Sequence, residues 1–316
     1  MTQGFKVIID WDGTLTAEEE QVAALAARSL DTLAREILGA PREQLADDYA
    51  ATRARLLRTP HRYGWWVNGL LATTSDEGAF ILNTTTLLVM LGENPAYAAA
   101  VAAAFPQAQY DPIMDCVNHL FHRHTAELSP VFRPAARQVL LTLLEHPHRS
   151  PVILTNSLGD KVRRHLGALG LGEREHEVAV LGDTRQYDMD PAWPQRFPHS
   201  ALGDIQVWPV DERHRIDLRR PAYYEALRRA AADGSPLAVV ADTFSMPGAL
   251  PLMMSIPFFL LRTAYTPDWC AQAVAAHPLG RVLADLADLP AALDDLQWDA
   301  SEWEMEGDWA VQGRKA

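Results

Sequence analysis

Residues 6–16, KVIIDWDGTLT, decide the fold of this 316-residue chain. The first half is a short β-branched run, apolar at consecutive positions, which is typical of a strand buried inside a parallel sheet. Asp10 and Asp12 come at its end, and Gly13 and Thr14 allow a turn in which backbone N–H groups can face an anion. Two carboxylates this close repel each other, so one must take an elevated pKa or a cation must lie between them.

Two later segments repeat this pattern of an apolar run followed by polar residues. Residues 151–154, PVIL, precede Thr155 and Asn156, and residues 237–240, LAVV, precede Asp242. Ligands of open α/β sheets bind beyond the carboxyl ends of the strands. The three segments together therefore predict one site assembled from distant parts of the sequence.

The two aspartates alone allow two interpretations. A hard divalent metal with oxygen ligands, with Mg²⁺ as first choice, would cancel their charge, and one carboxylate could then attack a phosphoryl group while the other moves the proton. The alternative is a glycine-containing turn whose acids are simply hydrated.

The segments DWDGTLT, ILTNS and VVAD, in this order, resemble motifs of the haloacid dehalogenase-like (HAD) superfamily of phosphohydrolases. Asp10, Asp12, Gly13, Thr14 and Leu15 match the family's DxDGT(L/V) motif in full. The resemblance covers the core, which is about half of the chain. It implies an α/β fold: a Rossmann-like parallel-sheet core with an inserted all-helical cap domain.

The resemblance also implies roles for single residues. Asp10 would be the nucleophile that forms an aspartyl phosphate, and Asp12 would protonate the leaving oxygen and then activate water. Mg²⁺ would be held by the Asp10 carboxylate, the Asp12 backbone carbonyl and Asp242. Thr155, with Asn156 beside it, would bind a phosphoryl oxygen. The physics agrees, because a carboxylate approaches a phosphate dianion only when a cation screens the charge.

The cation of the family's third motif is normally a lysine, and none is found at the expected position. The chain has only three lysines, Lys6, Lys161 and Lys315. Arg220, with Arg219 before it, is the preferred substitute, and Arg185 is the rival. Arginine stays charged and can hold phosphate with two N–H groups. All three arginines could equally be surface charges.

The fourth motif lacks its second acid. Met246 and Pro247 stand where the family has a carboxylate, and Ser245 is the nearest side-chain oxygen. Asp242 can still bind metal, but the groups that orient metal-bound water must come from elsewhere. Weaker metal affinity or lost catalysis is expected if they do not.

A further candidate is HLFHRH, residues 119–124. His119 and His122 lie three apart and could share a metal on one helix face. No third ligand is visible, so a polar helix face is the simpler interpretation.

The organisation follows from the spacing of these segments. The core is predicted at 1–15 and 132–290 with a small insertion near 183–218, the cap at 16–131, and an acidic tryptophan-containing tail at 291–316. Thr16 and Glu19 have the spacing of a capping box at the start of the first cap helix. Other helices are predicted near 42–58, 76–91, 95–105, 111–128, 134–145 and 161–169, a strand over 177–181, and a hairpin over 204–218.

Composition limits the class of partner. The net charge of -13 and pI near 5.3 argue against nucleic acid or an anionic membrane surface. The apolar stretch 249–261 is too short to span a bilayer. Two cysteines give no disulfide framework, and the start of the chain lacks a signal peptide, so the cytoplasm is the default expectation. The oligomeric state is left open.

The sequence thus predicts a Mg²⁺-dependent phosphomonoester hydrolase, acting through an aspartyl phosphate on a small soluble phosphorylated molecule. A non-catalytic HAD-like binding scaffold is the alternative from another class, motivated by the missing acid of the fourth motif. A phosphotransferase or mutase is the third possibility.

Overall fold

The structure is a computed structural model and describes residues 4–193 and 206–296. Its strands are β1 (Phe5–Ile9), β2 (Gly64–Val67), β3 (Leu70–Thr74), β4 (Arg149–Leu154), β5 (Ala179–Leu181), β6 (Val207–Pro209), β7 (Arg215–Asp217), β8 (Leu237–Ala241), β9 (Phe258–Leu261) and β10 (Gly280–Leu283). Its α-helices are α1 (Val22–Thr32), α2 (Arg42–Leu56), α3 (Ala79–Glu93), α4 (Pro95–Ala104), α5 (Pro112–Glu127), α6 (Ala136–Glu145), α7 (Gly159–Leu166), α8 (Pro221–Ala230), α9 (Ala249–Met253), α10 (Asp268–Ala276) and α11 (Leu289–Asp294).

A six-stranded sheet in the order β10-β9-β8-β1-β4-β5 forms the core. Every neighbouring pair in it is parallel, and β1 lies between β4 and β8, where Val7 pairs with Pro151 and Ala238. The carboxyl ends of all six strands therefore meet at one edge, and the predicted α/β fold with a parallel-sheet core is confirmed.

Both faces of this sheet are covered. Along β1, Ile8 belongs to one apolar cluster with residues of α8, α9 and α10, whereas Val7 and Ile9 belong to another with residues of α6, α7 and α11. All three side chains are at most 1% exposed. This explains why the strand segment is apolar at consecutive positions instead of alternating.

The region between β1 and β4 carries the cap. Helices α1 to α5 pack around their own apolar cluster, which includes Leu30, Leu45, Leu91 and Leu120. The helices predicted near 42–58, 76–91, 95–105 and 111–128 are confirmed by α2, α3, α4 and α5. The α3–α4 break lies at Asn94, whose side chain caps α4.

The cap is not wholly helical, because β2 and β3 form an antiparallel hairpin. Asn68 and Gly69 form its turn with φ of 52° and 78°. Asn-Gly between runs of aromatic and apolar residues is a strong hairpin signal. The prediction of an all-helical cap overlooked it.

The capping box predicted at the start of the cap is wrong. The Thr16 hydroxyl donates to the Trp11 carbonyl at 3.2 Å, and Thr16 forms an antiparallel bridge with Phe132. Helix α1 begins only at Val22, without a side-chain cap. Thr16 thus joins the outgoing and returning chains between core and cap.

The insertion contains the expected hairpin, in which β6 pairs with β7. Asp211 forms its turn by accepting from the backbone N–H groups of Arg213 and His214 at 2.7 and 2.8 Å. Residues 194–205 of the insertion, and the tail tryptophans at 298, 303 and 309, lie outside the described residues. Helix α11 extends the packing of the core to Leu293, which is 1% exposed.

Within the described ranges, no single helix is long and apolar enough to cross a membrane, although the sharply bent pair α3–α4 passes on length and composition.

Candidate active site

The turn after β1 is packed against the end of β8. Gly13 has φ of 80°, and a Cβ there would lie 2.0 Å from Oδ2 of Asp242, so only glycine fits. The Asp242 N–H donates to the Thr14 hydroxyl oxygen at 3.0 Å, and that hydroxyl lies 3.4 Å from Asp242 Oδ1. The close packing of Gly13 and the hydrogen bonding of Thr14 against Asp242 therefore hold the first and fourth motif segments together.

Thr155 and Asn156, which follow β4, belong to the segment ILTNS that resembles the second motif of the family. Thr155 is 1% exposed and its side chain hydrogen-bonds Asp10, while its Oγ1 accepts from the Ser157 N–H at 3.1 Å. Asn156 Oδ1 accepts from the Gln186 N–H at 2.7 Å, and the Asn156 amide lies 3.9 Å from the sulfur of Met246. Thr155 thus contacts Asp10, whereas Asn156 forms a hydrogen bond with the loop after β5.

Lys161, which sequence reasoning set aside, lies in this site. It is on the first turn of α7 with a side chain only 4% exposed, and its Nζ donates to Ser157 Oγ at 2.9 Å. Ser157 Oγ in turn donates to Asp12 Oδ2 at 2.5 Å, and Lys161 Nζ lies 3.6 Å from Asp12 Oδ1. The signal that could have found this lysine is its place one helical turn after a strand-ending Thr-Asn-Ser.

The structure places the three arginine candidates differently. Arg220 is 1% exposed and donates to the carbonyls of Asp217 at 3.2 Å, Gln186 at 2.8 Å and Ala72. Burial lowers the pKa of Arg220 to about 10, which keeps it charged at neutral pH. The guanidinium therefore joins cap strand β3 to two core loops.

The other two arginines form local ion pairs. Arg219 pairs with Asp217, which it also contacts through its backbone N–H. Arg185 pairs with Asp183 at 3.4 Å on a loop where both residues have positive φ.

A group of acids fills the site. Burial raises the pKa of Asp10 well above its usual value, and repulsion from Asp12 adds to this. Burial and repulsion from Asp10 do the same to the pKa of Asp242. Glu18 was not predicted, yet it is 6% exposed, and burial and Asp242 raise its pKa well above the usual value. Its Oε1 accepts from the N–H groups of Ala79 and, at 3.2 Å, Phe80 at the start of α3.

Arg133 provides a second cation near this group. Its Nε donates to the Gly13 carbonyl at 2.9 Å, and its Nη1 pairs with Glu19 at 2.9 Å. The charge of Arg133 lowers the pKa of Asp242, but less than burial raises it. Lys161 and Arg133 thus leave much of the negative charge uncompensated.

This excess of buried carboxylates fits a hard divalent cation, for which carboxylate and carbonyl oxygens are the preferred ligands. Within residues 4–193 and 206–296, no three or more His, Cys, Asp or Glu side chains form a group that could hold a metal by themselves. The Mg²⁺ set implied by the resemblance needs fewer: the carboxylates of Asp10 and Asp242, the Asp12 carbonyl, and water. The donor chemistry of these residues fits Mg²⁺.

The place of the missing acid of the fourth motif is occupied by a contact from the cap. Ser245 N–H donates to Glu77 Oε2 at 2.7 Å, and Ser245 Oγ donates to Glu77 Oε1. Glu77 is 1% exposed and also accepts from Thr73, Thr74 and Cys270. The loop after β8, which lacks the second acid of the fourth motif, is thus bound by the carboxylate of Glu77 from a distant part of the chain.

The three histidines of 119–124 have separate surroundings. His119 is exposed, with its ring centre 5.9 Å from that of Phe105 and the two ring planes tilted by 60°, and His124 is buried with its Nε2 2.9 Å from the Thr32 hydroxyl. The His122 ring packs edge to face on Phe121, with ring centres 5.4 Å apart, and the centre of the Phe121 ring lies 5.8 Å from Lys161 Nζ.

No protein-family model matches the chain, and no curated protein matches it in sequence. Solved structures that resemble it across nearly the whole chain are HAD-superfamily hydrolases, phosphatases and dehalogenases. A predicted phosphoglycolate phosphatase from Haemophilus somnus 129PT is 16% identical with a TM-score of 0.45, covering 93% of this chain and 99% of that one. The HAD-hydrolase YfnB from Bacillus subtilis, solved with magnesium, is 11% identical with a TM-score of 0.46, covering 93% and 100%.

A third similar structure is CbbY from Rhodobacter sphaeroides in complex with xylulose-(1,5)-bisphosphate, 15% identical with a TM-score of 0.42, covering 91% of this chain and 96% of that one. The sheet order and the cap inserted between β1 and β4 describe an α/β fold with a parallel-sheet core, and the three motif segments converge at one edge of that sheet.

Proposed function

We propose that this protein is a Mg²⁺-dependent phosphomonoester hydrolase that acts through an aspartyl phosphate on a small phosphorylated molecule. The observation that supports this most is the meeting of three distant segments at one sheet edge. There Asp10 is hydrogen-bonded by Thr155, Asp242 is locked to the Asp12–Thr14 turn, and Lys161 stands beside Asp12.

The chemistry follows from these positions. Asp10 attacks phosphorus, its carboxylate forms an acyl phosphate, and the ester P–O bond breaks. Asp12 gives its proton to the leaving oxygen and then removes a proton from the water that hydrolyses the acyl phosphate. Bound Mg²⁺ supplies charge neutralisation between the carboxylates and the phosphoryl oxygens. Asp10, the Asp12 carbonyl and Asp242 would hold it.

The remaining groups position the phosphoryl oxygens. The Thr155 hydroxyl, already directed at Asp10, can donate to one of them. In this proposal Lys161 replaces Arg220 as the cation of the third motif, because the Arg220 guanidinium donates to three backbone carbonyls. Through Ser157, Lys161 also fixes the orientation of Asp12.

The test is Mg²⁺-dependent hydrolysis of 4-nitrophenyl phosphate by purified wild-type and Asp10→Asn protein. We expect the substitution to abolish turnover, because an amide oxygen is a poor nucleophile. Asp160→Asn, which changes an acid that is 89% exposed and one residue from Lys161, is the matched control and keeps wild-type turnover. Equal activity of Asp10→Asn and wild type would remove Asp10 as nucleophile.

The same assay separates the alternatives. No turnover by the wild type with Mg²⁺ would favour the binding scaffold. Phosphorylated product that appears only with an added acceptor alcohol would favour a phosphotransferase.

A further inference from the structure

Helix α5 of the cap borders the proposed site directly. Lys161 Nζ lies 5.8 Å from the centre of the Phe121 ring, and Phe121 packs edge to face on Phe80 with ring centres 5.5 Å apart. His122 is the next residue, and its Nδ1 is buried without a hydrogen-bond partner in the described part of the chain. The proposed reaction uses neither Phe121 nor His122.

An unpaired imidazole nitrogen in this position is unfavourable in the empty protein. Leaving a buried polar group unsatisfied costs about 1–3 kcal/mol. Other nearby polar groups are already engaged: Lys161 donates to Ser157, and Ser157 donates to Asp12. The nitrogen is therefore free to bind a group that enters the site.

The charges around His122 restrict what that group can be. Burial and Lys161 lower the pKa of His122, so the ring is neutral near pH 7. The charge of Lys161 and the charges of Asp12 and Asp183 act on His122 in opposite directions, so together they favour neither a cationic nor an anionic ligand group. A hydroxyl is neutral and both donates and accepts, which matches a neutral imidazole in either tautomer.

We propose that His122 is a substrate-positioning residue that hydrogen-bonds a hydroxyl on the alcohol part of the substrate, so that the protein selects phosphomonoesters of polyols or sugars. The inference rests on the proposed function, since it places the phosphoryl group at Asp10. Lys161 lies beside Phe121, the residue before His122, and is also 3.6 Å from Asp12, the acid for the leaving oxygen, so His122 borders the side of the site from which the alcohol leaves.

The test measures binding without turnover. Asp10→Asn protein with Mg²⁺ is titrated by calorimetry with methyl phosphate, glycerol 1-phosphate and ribose 5-phosphate. We expect at least one hydroxylated ester to bind more tightly than methyl phosphate. Adding His122→Phe should weaken that ester by about 10-fold, the equivalent of one hydrogen bond of ~1.4 kcal/mol, and leave methyl phosphate unchanged.

Two further variants distinguish positioning from folding. His119→Phe changes an exposed histidine one turn earlier on the same helix, and we expect it to leave all three affinities unchanged. His122→Asn keeps a donor and an acceptor and should restore part of the preference.

Three results would overturn the inference: no preference for hydroxylated esters in Asp10→Asn protein, a preference that survives His122→Phe, or equal weakening of methyl phosphate and the hydroxylated esters. These outcomes differ from a failure of the proposed function, which appears as absent hydrolysis by the wild type.

Discussion

The charge of a buried lysine must be stabilised by neighbouring polar groups, and Lys161 has two such neighbours. Its side chain is 4% exposed, and the nearby Asp12 carboxylate and Ser157 hydroxyl compensate the loss of water. Ser157 lies in the loop after β4, and the first turn of α7 brings Lys161 within hydrogen-bond distance of it. Arg220 is the candidate that the sequence favours, because Arg219-Arg220-Pro221 resembles the Lys-Pro that opens a helix in the family and lies at a plausible distance before Asp242. The better indication of the cation is the short segment after Thr155, in which Lys161 follows Ser157 by four residues.

Lys161→Met should reduce kcat for 4-nitrophenyl phosphate by about 10²-fold or more, because a cation facing the transferring group stabilises charge in the transition state. Circular dichroism should show an intact fold. The comparison variant is Arg220→Met, which removes the donors to three buried carbonyls.

For Arg220→Met we expect a lowered Tm and a smaller loss of kcat in the protein that remains folded. A larger kcat loss in Arg220→Met than in Lys161→Met, measured at a temperature where both are folded, would return the third-motif role to Arg220.

Among the elements, those with clear periodicity could be predicted and those fixed by tertiary contacts could not. The apolar runs of β1, β4 and β8 and the helical spacing of α2 to α6 gave the correct elements. The start of α1 could not be predicted from Thr16 and Glu19, because Arg133 pairs with Glu19 and Phe132 pairs with Thr16. Both partners are more than one hundred residues away.

The elements that join cap and core also depend on distant partners. Glu77, between β3 and α3, accepts hydrogen bonds from Ser245 of the core, and Arg220 of the core donates to Ala72 of β3. Asn68 of the cap hairpin donates to the Met189 carbonyl at 2.6 Å. Hairpin β2–β3 is thus held to the core at both its turn and its base.

Glu77→Gln should weaken this connection, because each carboxylate oxygen accepts from a backbone N–H, that of Thr74 or that of Ser245, and the amide N–H₂ that replaces one oxygen cannot accept. We expect a loss of about 1–3 kcal/mol in the free energy of unfolding. Hydrogen exchange should speed up in residues 70–79 and 243–248 together. Asp76→Asn, at the adjacent acid with one hydrogen bond from Thr74, is the control and should leave residues 243–248 unchanged. Faster exchange on the cap side alone would contradict a connection between cap and core.

For the molecule as a whole, part of the excess of acids that gives the net charge of -13 lies at the site. The sequence could show that the protein is acidic and that Asp10 and Asp12 repel each other. It could not show that Glu18 and Asp242 join them, because Glu18 is brought in by its contact with the start of α3. Folding therefore assembles four carboxylates and two cations around the carboxyl end of β1.

This arrangement predicts how stability depends on pH and metal. Burial raises the pKa of Asp10, Glu18 and Asp242, so the folded protein holds protons that the unfolded chain releases. The stability contributed by these protons is complete below the unfolded values of about 4 and is lost as pH rises through the raised pKa values. Without metal, Tm should therefore fall as the pH rises above about 4 and through the raised pKa values.

Mg²⁺ should reverse this fall, because it binds only the folded site and replaces the protons. At about 100 times its Kd the gain is about 2.7 kcal/mol, which corresponds to a Tm increase on the order of 5 °C. Asp242→Asn should raise the Tm of the metal-free protein at pH 8, since it removes one repelling charge, and should abolish the response to Mg²⁺. Asp160→Asn should behave as wild type. Two results would contradict this arrangement: a Tm that rises with pH in EDTA, and an Asp242→Asn protein that still responds to Mg²⁺. Either would mean that these carboxylates do not form the metal site. Lys161 and Arg133 alone would then balance the charge of the buried acids.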